Sequence, residues 1–184
     1  LHLDLKPANV LLDDEGNPHV ADFGIAQSLD DPDEVPSGAP LGTPHYMSPE
    51  QASPPPRQLT TRSDVYSLGA VLFELLTGRL PFEGTTSEEV LERRRTLEPP
   101  RPRSLDARID RDLEAICLRC LERDAERRYS AEQLAEELER FLRGEPVAAR
   151  PLKPPERAWR WCRGHPAAAG FVATGALFML TATL

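Results

Sequence analysis

Lysine is scarce in this sequence, and positive charge of any kind is almost absent from its first third. The 184 residues include only two lysines, Lys6 and Lys153, and residues 1–50 hold ten acidic residues but a single basic one. A nucleic-acid-binding domain presents a basic face to the phosphate backbone. The charge distribution therefore argues against nucleic acid as a partner.

Cysteine and aromatic residues are also few. Three cysteines exclude a disulfide-stapled scaffold and are typical of a reducing compartment. Although the chain holds 19 prolines, its hydrophobic content of 40% is sufficient for a packed core. The first residue is Leu rather than Met, so we expect these residues to be part of a longer polypeptide.

Helical patterns dominate the chain after residue 60. Ser63 or Asp64 is predicted to cap a buried helix that runs to Thr77 and stops at Gly78. Three further helices are predicted: one starting at Thr86 or Ser87, one over residues 110–122, and one opened by the capping box of Ser130 and Gln133.

The first 60 residues show a different pattern. Residues 10–21 predict two short strands joined by a tight turn, because two short β-rich runs flank a stretch of turn-forming residues. Residues 28–58 have no helical period and are rich in proline, which predicts a long loop. Loops of this length inside a compact domain are usually functional.

Five short motifs follow one another along the chain. They are His2-Leu-Asp-Leu-Lys-Pro-Ala-Asn9, Asp22-Phe-Gly24, Gly42-Thr-Pro-His-Tyr-Met-Ser-Pro-Glu50, Asp64-Val-Tyr-Ser-Leu-Gly69 and Asp124-Ala-Glu-Arg-Arg128. In this order and spacing they closely resemble the eukaryotic-like serine/threonine protein kinases, in particular those that bacteria anchor in the membrane. The resemblance covers residues 1 to about 143, which correspond to the larger lobe of that fold.

The resemblance implies phosphoryl transfer from ATP to serine or threonine side chains of proteins. Such chemistry needs positioning and charge neutralisation rather than covalent catalysis. Asp4 would accept or orient the proton of the attacking hydroxyl, and Lys6 would place a positive charge on the transferring phosphate. Asn9 precedes the predicted hairpin and Asp22 follows it, so the two strands would bring both side chains to the same end, where their oxygen atoms could hold one Mg²⁺ ion.

Further residues are implied to have docking or structural roles. Thr43 would dock the substrate, and Lys6 together with Thr43 is typical of the serine/threonine branch. The remaining residues would be structural. An ion pair would lock the long loop to the helices, and a carboxylate would hold residues 2–9, which correspond to the catalytic loop of the family. A histidine would pack against the phenylalanine of residues 22–24, which correspond to the metal-binding triplet of the family. These residues are Glu50 with Arg128, Asp64, and His2 with Phe23 and Gly24.

Two features depart from the family pattern. Leu3 stands where most members have an arginine that receives a loop phosphate. The glycine-rich phosphate loop and the nucleotide-contacting lysine with its glutamate partner are not among the 184 residues. We therefore expect this chain alone to be inactive. A pseudokinase or a membrane-anchored binding scaffold remains the alternative to an active kinase.

Cys117 and Cys120 have the spacing of a metal-binding pair. A structural zinc site needs about four ligands, and the sequence offers no second pair. Both cysteines fall on the apolar stripe of the predicted helix over residues 110–122, so we interpret them as core residues.

The C-terminal region differs from the rest. Residues 144–165 form a linker rich in proline and arginine, and the 19 residues 166–184 carry no charge. A helix of that length reaches about 28 Å, close to the thickness of a bilayer core. The arginines of residues 157–163 precede it and predict a cytoplasmic N-terminal side, with membrane lipid as a partner of residues 166–184.

These patterns combine into one expected architecture. The fold is predicted to be mainly α-helical with one short β-hairpin, as in the C-terminal lobe of a protein kinase whose N-terminal lobe is absent. Residues 1–143 would form this lobe, residues 144–165 a juxtamembrane linker, and residues 166–184 a transmembrane helix. The expected localisation is a single-pass position in the cell membrane with the kinase lobe in the cytoplasm.

Overall fold

The structure is a computed structural model that describes residues 1–23, 43–53 and 59–151. The chain divides into two compact units, Leu1–Ala149 and Arg150–Leu184. The account below concerns the first unit, which contains nearly all of the described residues. The expectation of a mainly helical fold with one short hairpin is confirmed for these residues.

Two short strands and five helices make up the described secondary structure. They are β1 (Val10–Leu12), β2 (Pro18–Val20), α1 (Thr61–Thr77), α2 (Ser87–Thr96), α3 (Pro102–Leu105), α4 (Arg111–Cys120) and α5 (Ala131–Leu142). Two 3-10 turns, Pro7–Asn9 and Ala125–Arg127, complete the set.

Helix α1 begins earlier than its sequence pattern suggests. Its N-cap is Thr60, whose hydroxyl oxygen accepts a hydrogen bond from the backbone of Arg62, while Ser63 accepts one from the backbone of Thr60. The prediction of Ser63 or Asp64 as the cap is therefore wrong. Both side chains are engaged elsewhere, since Ser63 also donates to Glu50 and Asp64 accepts from the backbone N–H groups of His2 and Leu3. The end at Thr77 is confirmed, and Gly78 closes the helix in the left-handed conformation with φ of 69°.

The other caps follow local rules more closely. Thr86 caps α2 and Ser130 caps α5 in the predicted box with Gln133. Asp110 caps α4, and its side chain accepts from the backbone of Asp112. Helix α3 was not predicted, because four residues that start at a proline are too short to show a helical period.

The core lies where α1 packs against α4 and α5. Val65 and Ile116 are fully buried in one cluster, and Phe73 and Cys117 in a second. The helices approach closely at Gly69, because a Cβ there would lie 2.5 Å from the Cβ of Cys120. Glycine at this position therefore sets the distance between α1 and α4.

The hairpin positions one edge of the site. Strands β1 and β2 pair antiparallel with Val10 opposite Val20, and the backbone N–H of Ala21 donates to the carbonyl of Asn9 at 2.8 Å. Asn9 and Asp22 are thus brought to the same open end of the hairpin. At the other end, the carboxylate of Asp13 accepts hydrogen bonds from two backbone N–H groups of the turn.

No helix in the described part of the chain is long and apolar enough to cross a membrane. The predicted transmembrane segment, residues 166–184, lies outside the described residues, as do residues 152–165 of the linker.

Candidate active site

The carboxylate of Asp4 is the centre of a dense polar cluster. Its Oδ1 accepts from the backbone N–H and the hydroxyl of Thr43 at 2.8 and 2.9 Å. Its Oδ2 accepts from Lys6 Nζ at 2.6 Å and from Asn9 Nδ2 at 3.2 Å. Burial by itself raises the pKa of Asp4, but the hydrogen bonds from Lys6 and Thr43 outweigh it and hold the pKa below its usual value. Asp4 is therefore ionised at neutral pH.

Lys6 and Thr43 are hydrogen-bonded to each other as well as to Asp4. Lys6 Nζ donates to Thr43 Oγ1 at 2.9 Å as well as to Asp4, so one ammonium group contacts both Asp4 and Thr43, which lie 39 positions apart. The lysine side chain is 24% exposed, which leaves its charge accessible from solvent. A carboxylate offers about four acceptor positions, and the four hydrogen bonds to Asp4 fill them.

Asn9 and Asp22 provide the oxygen atoms expected of a metal site. The amide nitrogen of Asn9 donates to the backbone carbonyl of Asp4 at 2.9 Å, so its amide oxygen is the atom left to bind a cation. Asp22 follows Ala21 at the end of β2, has a left-handed backbone with φ of 61°, and is exposed. Amide and carboxylate oxygens suit Mg²⁺, which takes its other ligands from water and nucleotide phosphates.

A metal held by protein alone is not indicated. The described residues contain no group of three or more His, Cys, Asp or Glu side chains that could hold a metal ion. Two oxygen donors fit a cation that arrives together with phosphate, and do not fit a resident structural ion.

Asp64, in helix α1, fixes the start of the segment that matches the family's catalytic loop in sequence, residues 2–9. Its two oxygens accept from the backbone N–H groups of His2 and Leu3 at 2.9 and 2.8 Å. The His2 ring lies 4.8 Å from that of Phe23 and places Nε2 3.1 Å from the carbonyl of Ala21. Because a carbonyl only accepts, Nε2 carries the proton and Nδ1 accepts from the backbone of Asp4 at 3.3 Å. His2 thereby joins the catalytic loop to the hairpin.

Glu50 and Arg128 form a buried, bidentate ion pair. The two guanidinium Nη atoms donate to the two carboxylate oxygens at 2.7 and 2.8 Å, and Ser63 donates to Glu50 at 2.7 Å. Burial by itself raises the pKa of Glu50, but the hydrogen bonds and charge of Arg128 lower it below its ordinary value. This pair attaches the segment after Thr43 to the helical core, although its partners lie 78 residues apart.

One expected site residue lies outside the described part of the chain, and the two cysteines of the helical region lie in the core, as interpreted from the sequence. Gly24 is not among the described residues. Cys117 and Cys120 are buried in the helical core, where burial raises both thiol pKa values, that of Cys120 to about 12. They are core residues, and neither takes part in the cluster around Asp4.

Residues that sequence reasoning missed include Gln51 and Arg94. Gln51 follows Glu50, the last residue of the third motif, and its side chain donates to the backbone carbonyl of Leu3. Arg94 lies in α2 and donates to the backbone carbonyl of Met47. The only signal for either was a polar residue next to a motif or on a helix, which is too weak to single out a side chain.

Comparisons with known proteins agree with this geometry. Residues 1–138 match the family described as the protein kinase domain. The chain is 41% identical over 152 residues to a probable serine/threonine-protein kinase of Streptomyces coelicolor, an alignment that covers 81% of this chain and 22% of that protein. It is 39% identical over 139 residues to the serine/threonine-protein kinase PrkC of Bacillus subtilis, covering 76% of this chain and 21% of PrkC.

A third relative extends the pattern. The serine/threonine-protein kinase PknB of Mycobacterium tuberculosis is 38% identical over 152 residues, which is 81% of this chain and 24% of PknB. The chain thus spans less than a quarter of the length of each of these three relatives.

Proposed function

Because this chain belongs to the protein kinase family, with residues 1–138 matched, we propose that the protein carrying it transfers the terminal phosphate of ATP to serine or threonine side chains of other proteins. The family resemblance noted in the sequence is confirmed. The residue roles, the use of ATP with Mg²⁺, the activity of the whole protein and its place in the cell are our proposal.

The observation that carries the proposal is the cluster around Asp4. A lysine ammonium and an amide both donate to one ionised carboxylate, next to the end of the hairpin that bears Asp22. A binding scaffold has no chemical need for this combination. Phosphoryl transfer needs a proton acceptor, a positive charge for the phosphate and oxygen ligands for a metal ion.

Each residue of the cluster has a definite task in this proposal. Asp4 orients the attacking hydroxyl and accepts its proton, because its pKa is held low enough to keep it ionised. Lys6 is a compact positive charge for the transferring phosphoryl group. Asn9 and Asp22 would hold Mg²⁺, which neutralises charge on the phosphates when it is bound.

Thr43 docks the substrate in this proposal. Since the four hydrogen bonds to Asp4 already occupy its acceptor positions, an incoming hydroxyl must replace one of them. The hydroxyl of Thr43 is the easiest to replace, because it can rotate away while its backbone N–H stays on Asp4. Lys6 and Thr43 together favour serine and threonine as acceptors.

A chain limited to residues 1–184 is expected to be inactive. The 184 residues include no glycine-rich loop to hold the ATP phosphates. In addition, the hairpin exposes apolar side chains, since Leu11 and Leu12 are 57% and 69% exposed. Such a surface is suited to packing against a further lobe of the same protein.

Membrane attachment through residues 166–184 belongs to the same proposal. Its support is the uncharged stretch of 19 residues and the arginines that precede it. Protease treatment of sealed membrane vesicles containing the full-length protein tests it. Digestion of the tail with the kinase lobe spared would contradict the cytoplasmic orientation.

The activity is tested with the full-length protein, radiolabelled ATP, Mg²⁺ and casein as acceptor. The Asp4→Asn variant should lower kcat by about 100-fold or more, as expected for a lost general base. Asp14→Asn, the same change in the exposed hairpin turn, is the matched control and should keep full activity. The label should appear on serine or threonine.

The leading alternative is a pseudokinase, for which Leu3 in the catalytic loop is the specific observation. Absence of transfer from the wild-type protein, or equal activity of wild type and Asp4→Asn, would favour it. Label on tyrosine would contradict the proposed substrate class.

A further inference from the structure

Leu3, the residue before Asp4, has an unusual backbone conformation. Its φ is 67°, in the left-handed region that residues with a Cβ rarely adopt, and its side chain is 1% exposed. Such a conformation persists only where the surroundings determine it. The direction in which the chain presents Asp4 therefore depends on what holds the peptide groups of Leu3.

Two side chains from distant segments hold that residue. Asp64 accepts from the N–H of Leu3 at 2.8 Å, and Gln51 Nε2 donates to its carbonyl at 2.9 Å. The Asp64 contact is part of the family pattern described above. The Gln51 contact joins two residues that lie 48 positions apart. Gln51 is only 4% exposed, so solvent does not compete for this hydrogen bond.

The orientation of the Gln51 amide is determined by its partners. Its Oε1 accepts from the backbone N–H and the hydroxyl of Ser48 at 3.0 and 2.9 Å. A backbone N–H can only donate and the carbonyl of Leu3 can only accept, so the amide cannot be flipped without losing both contacts. The amide thus supplies both the acceptor and the donor that these contacts require.

We propose that Gln51 is a positioning residue that ties the catalytic loop to the segment after Thr43, through its bonds to Leu3 and Ser48. Glu50, its neighbour, attaches the same segment to the helical core through Arg128. Through its hydrogen bond to Leu3, Gln51 connects the same segment to the residue before Asp4 and so helps to fix the orientation of Asp4. The effect on catalysis rests on the proposed function, whereas the contact between Gln51 and Leu3 is independent of it.

Two substitutions in the full-length protein separate the parts of this link. Gln51→Glu keeps an acceptor for Ser48 but removes the donor to Leu3, and Gln51→Met has similar length with neither group. Gln133→Glu is the matched control, because Gln133 acts as an acceptor in an exposed capping box and a carboxylate serves equally well there.

Steady-state kinetics with casein should show a loss of kcat of roughly 10- to 100-fold for both Gln51 variants, as expected when a catalytic group is displaced by about 1 Å. The KM for ATP should stay within about twofold of wild type, because the interactions that bind nucleotide are unchanged. Amide hydrogen exchange of residues 1–6 should accelerate by about tenfold in both variants. The Gln133→Glu control should change neither kcat nor the exchange rate of residues 1–6.

The opposite results are equally definite. Folded Gln51 variants that keep wild-type kcat and wild-type exchange at residues 1–6 would overturn the proposal, and so would loss of folding in both, because a positioning residue is dispensable for folding. If the wild-type protein transfers no phosphate, the proposed function fails, and the exchange measurement alone decides whether Gln51 holds the loop.

Discussion

Two arginine side chains in this lobe are almost fully buried, but they differ in what compensates their charge. Arg128 is 2% exposed and pairs with the carboxylate of Glu50. All of its guanidinium nitrogens donate hydrogen bonds. The further acceptors are the backbone carbonyls of Arg62, Glu122 and Arg123. A buried charge with this many partners is fully compensated.

Arg94 is 1% exposed and has much less to compensate it. Within the described part of the chain it donates one hydrogen bond, to the carbonyl of Met47, while its Nε and Nη2 have no partner. Its guanidinium carbon lies 5.6 and 6.0 Å from the ring centroids of Tyr66 and Phe82. Burial lowers the pKa of Arg94, and the interaction with Tyr66 offsets this only in part, which reflects the cost of keeping this group charged.

The same substitution at the two sites should therefore change the stability of the fold by very different amounts. Arg128→Met leaves the carboxylate of Glu50 buried without its partner and should cost about 3–5 kcal/mol. Arg94→Met removes a poorly compensated buried charge but also loses cation–π contacts worth roughly 0.5–2 kcal/mol each. Because these effects oppose each other, the free energy of unfolding of this variant should fall by no more than about 1 kcal/mol, or should rise. At about 2–4 °C per kcal/mol, Arg128→Met should lower Tm by roughly 6–20 °C.

The assay is thermal and urea unfolding of the full-length protein and both variants, repeated across pH. The pKa of Glu50 in the folded protein lies below its ordinary value of 4.5. The pair therefore stabilises the fold fully above that value, and its contribution is lost as the pH falls through the folded pKa. The difference in the free energy of unfolding between wild type and Arg128→Met should therefore become smaller below about pH 4.5. A loss at Arg94→Met as large as at Arg128→Met would refute this reasoning.

Three smaller changes test the packing and capping. Gly69→Ala should destabilise the fold by about 1–3 kcal/mol in urea unfolding, because its Cβ would lie 2.5 Å from that of Cys120. An unfolding midpoint equal to that of the wild type would contradict the close approach of α1 and α4. Thr60→Ala should cost about 0.5–2 kcal/mol in the same assay as a lost N-cap, and no change would show that the helix starts elsewhere. With Cys162 replaced by serine, Cys117 and Cys120 should not react with a thiol reagent at pH 8 until the protein unfolds, because burial raises both pKa values; rapid labelling of the folded protein would contradict their burial.

Local signals in the sequence predicted local structure well. The box of Ser130 and Gln133 and the stop at Gly78 depend on residues within one helical turn, and both are present in the structure. The start of α1 was mispredicted because Ser63 satisfies the rule for a cap, while its hydroxyl is in fact the partner of Thr60 and Glu50. A cap can be recognised from sequence, but competition between two candidates depends on tertiary contacts.

The site required more than local pattern. The pairing of Glu50 with Arg128 came from the family resemblance, because no periodicity links residues 78 positions apart. Gln51 could not be found in this way, since its contact with Leu3 depends on an unusual backbone angle that the residue type opposes. Long-range hydrogen bonds to backbone carbonyls leave no pattern in a single sequence.

The central claim is that Asp4, Lys6, Asn9 and Asp22 surround one metal ion and the end phosphate of a nucleotide. Calorimetric titration of ATP into the full-length protein, with and without Mg²⁺, tests it most directly when wild type is compared with Asp22→Asn. Mg²⁺ should tighten ATP binding by about tenfold or more in the wild type and far less in the variant, because the variant lacks an anionic metal ligand. An equal response to Mg²⁺ in both proteins would contradict the claim.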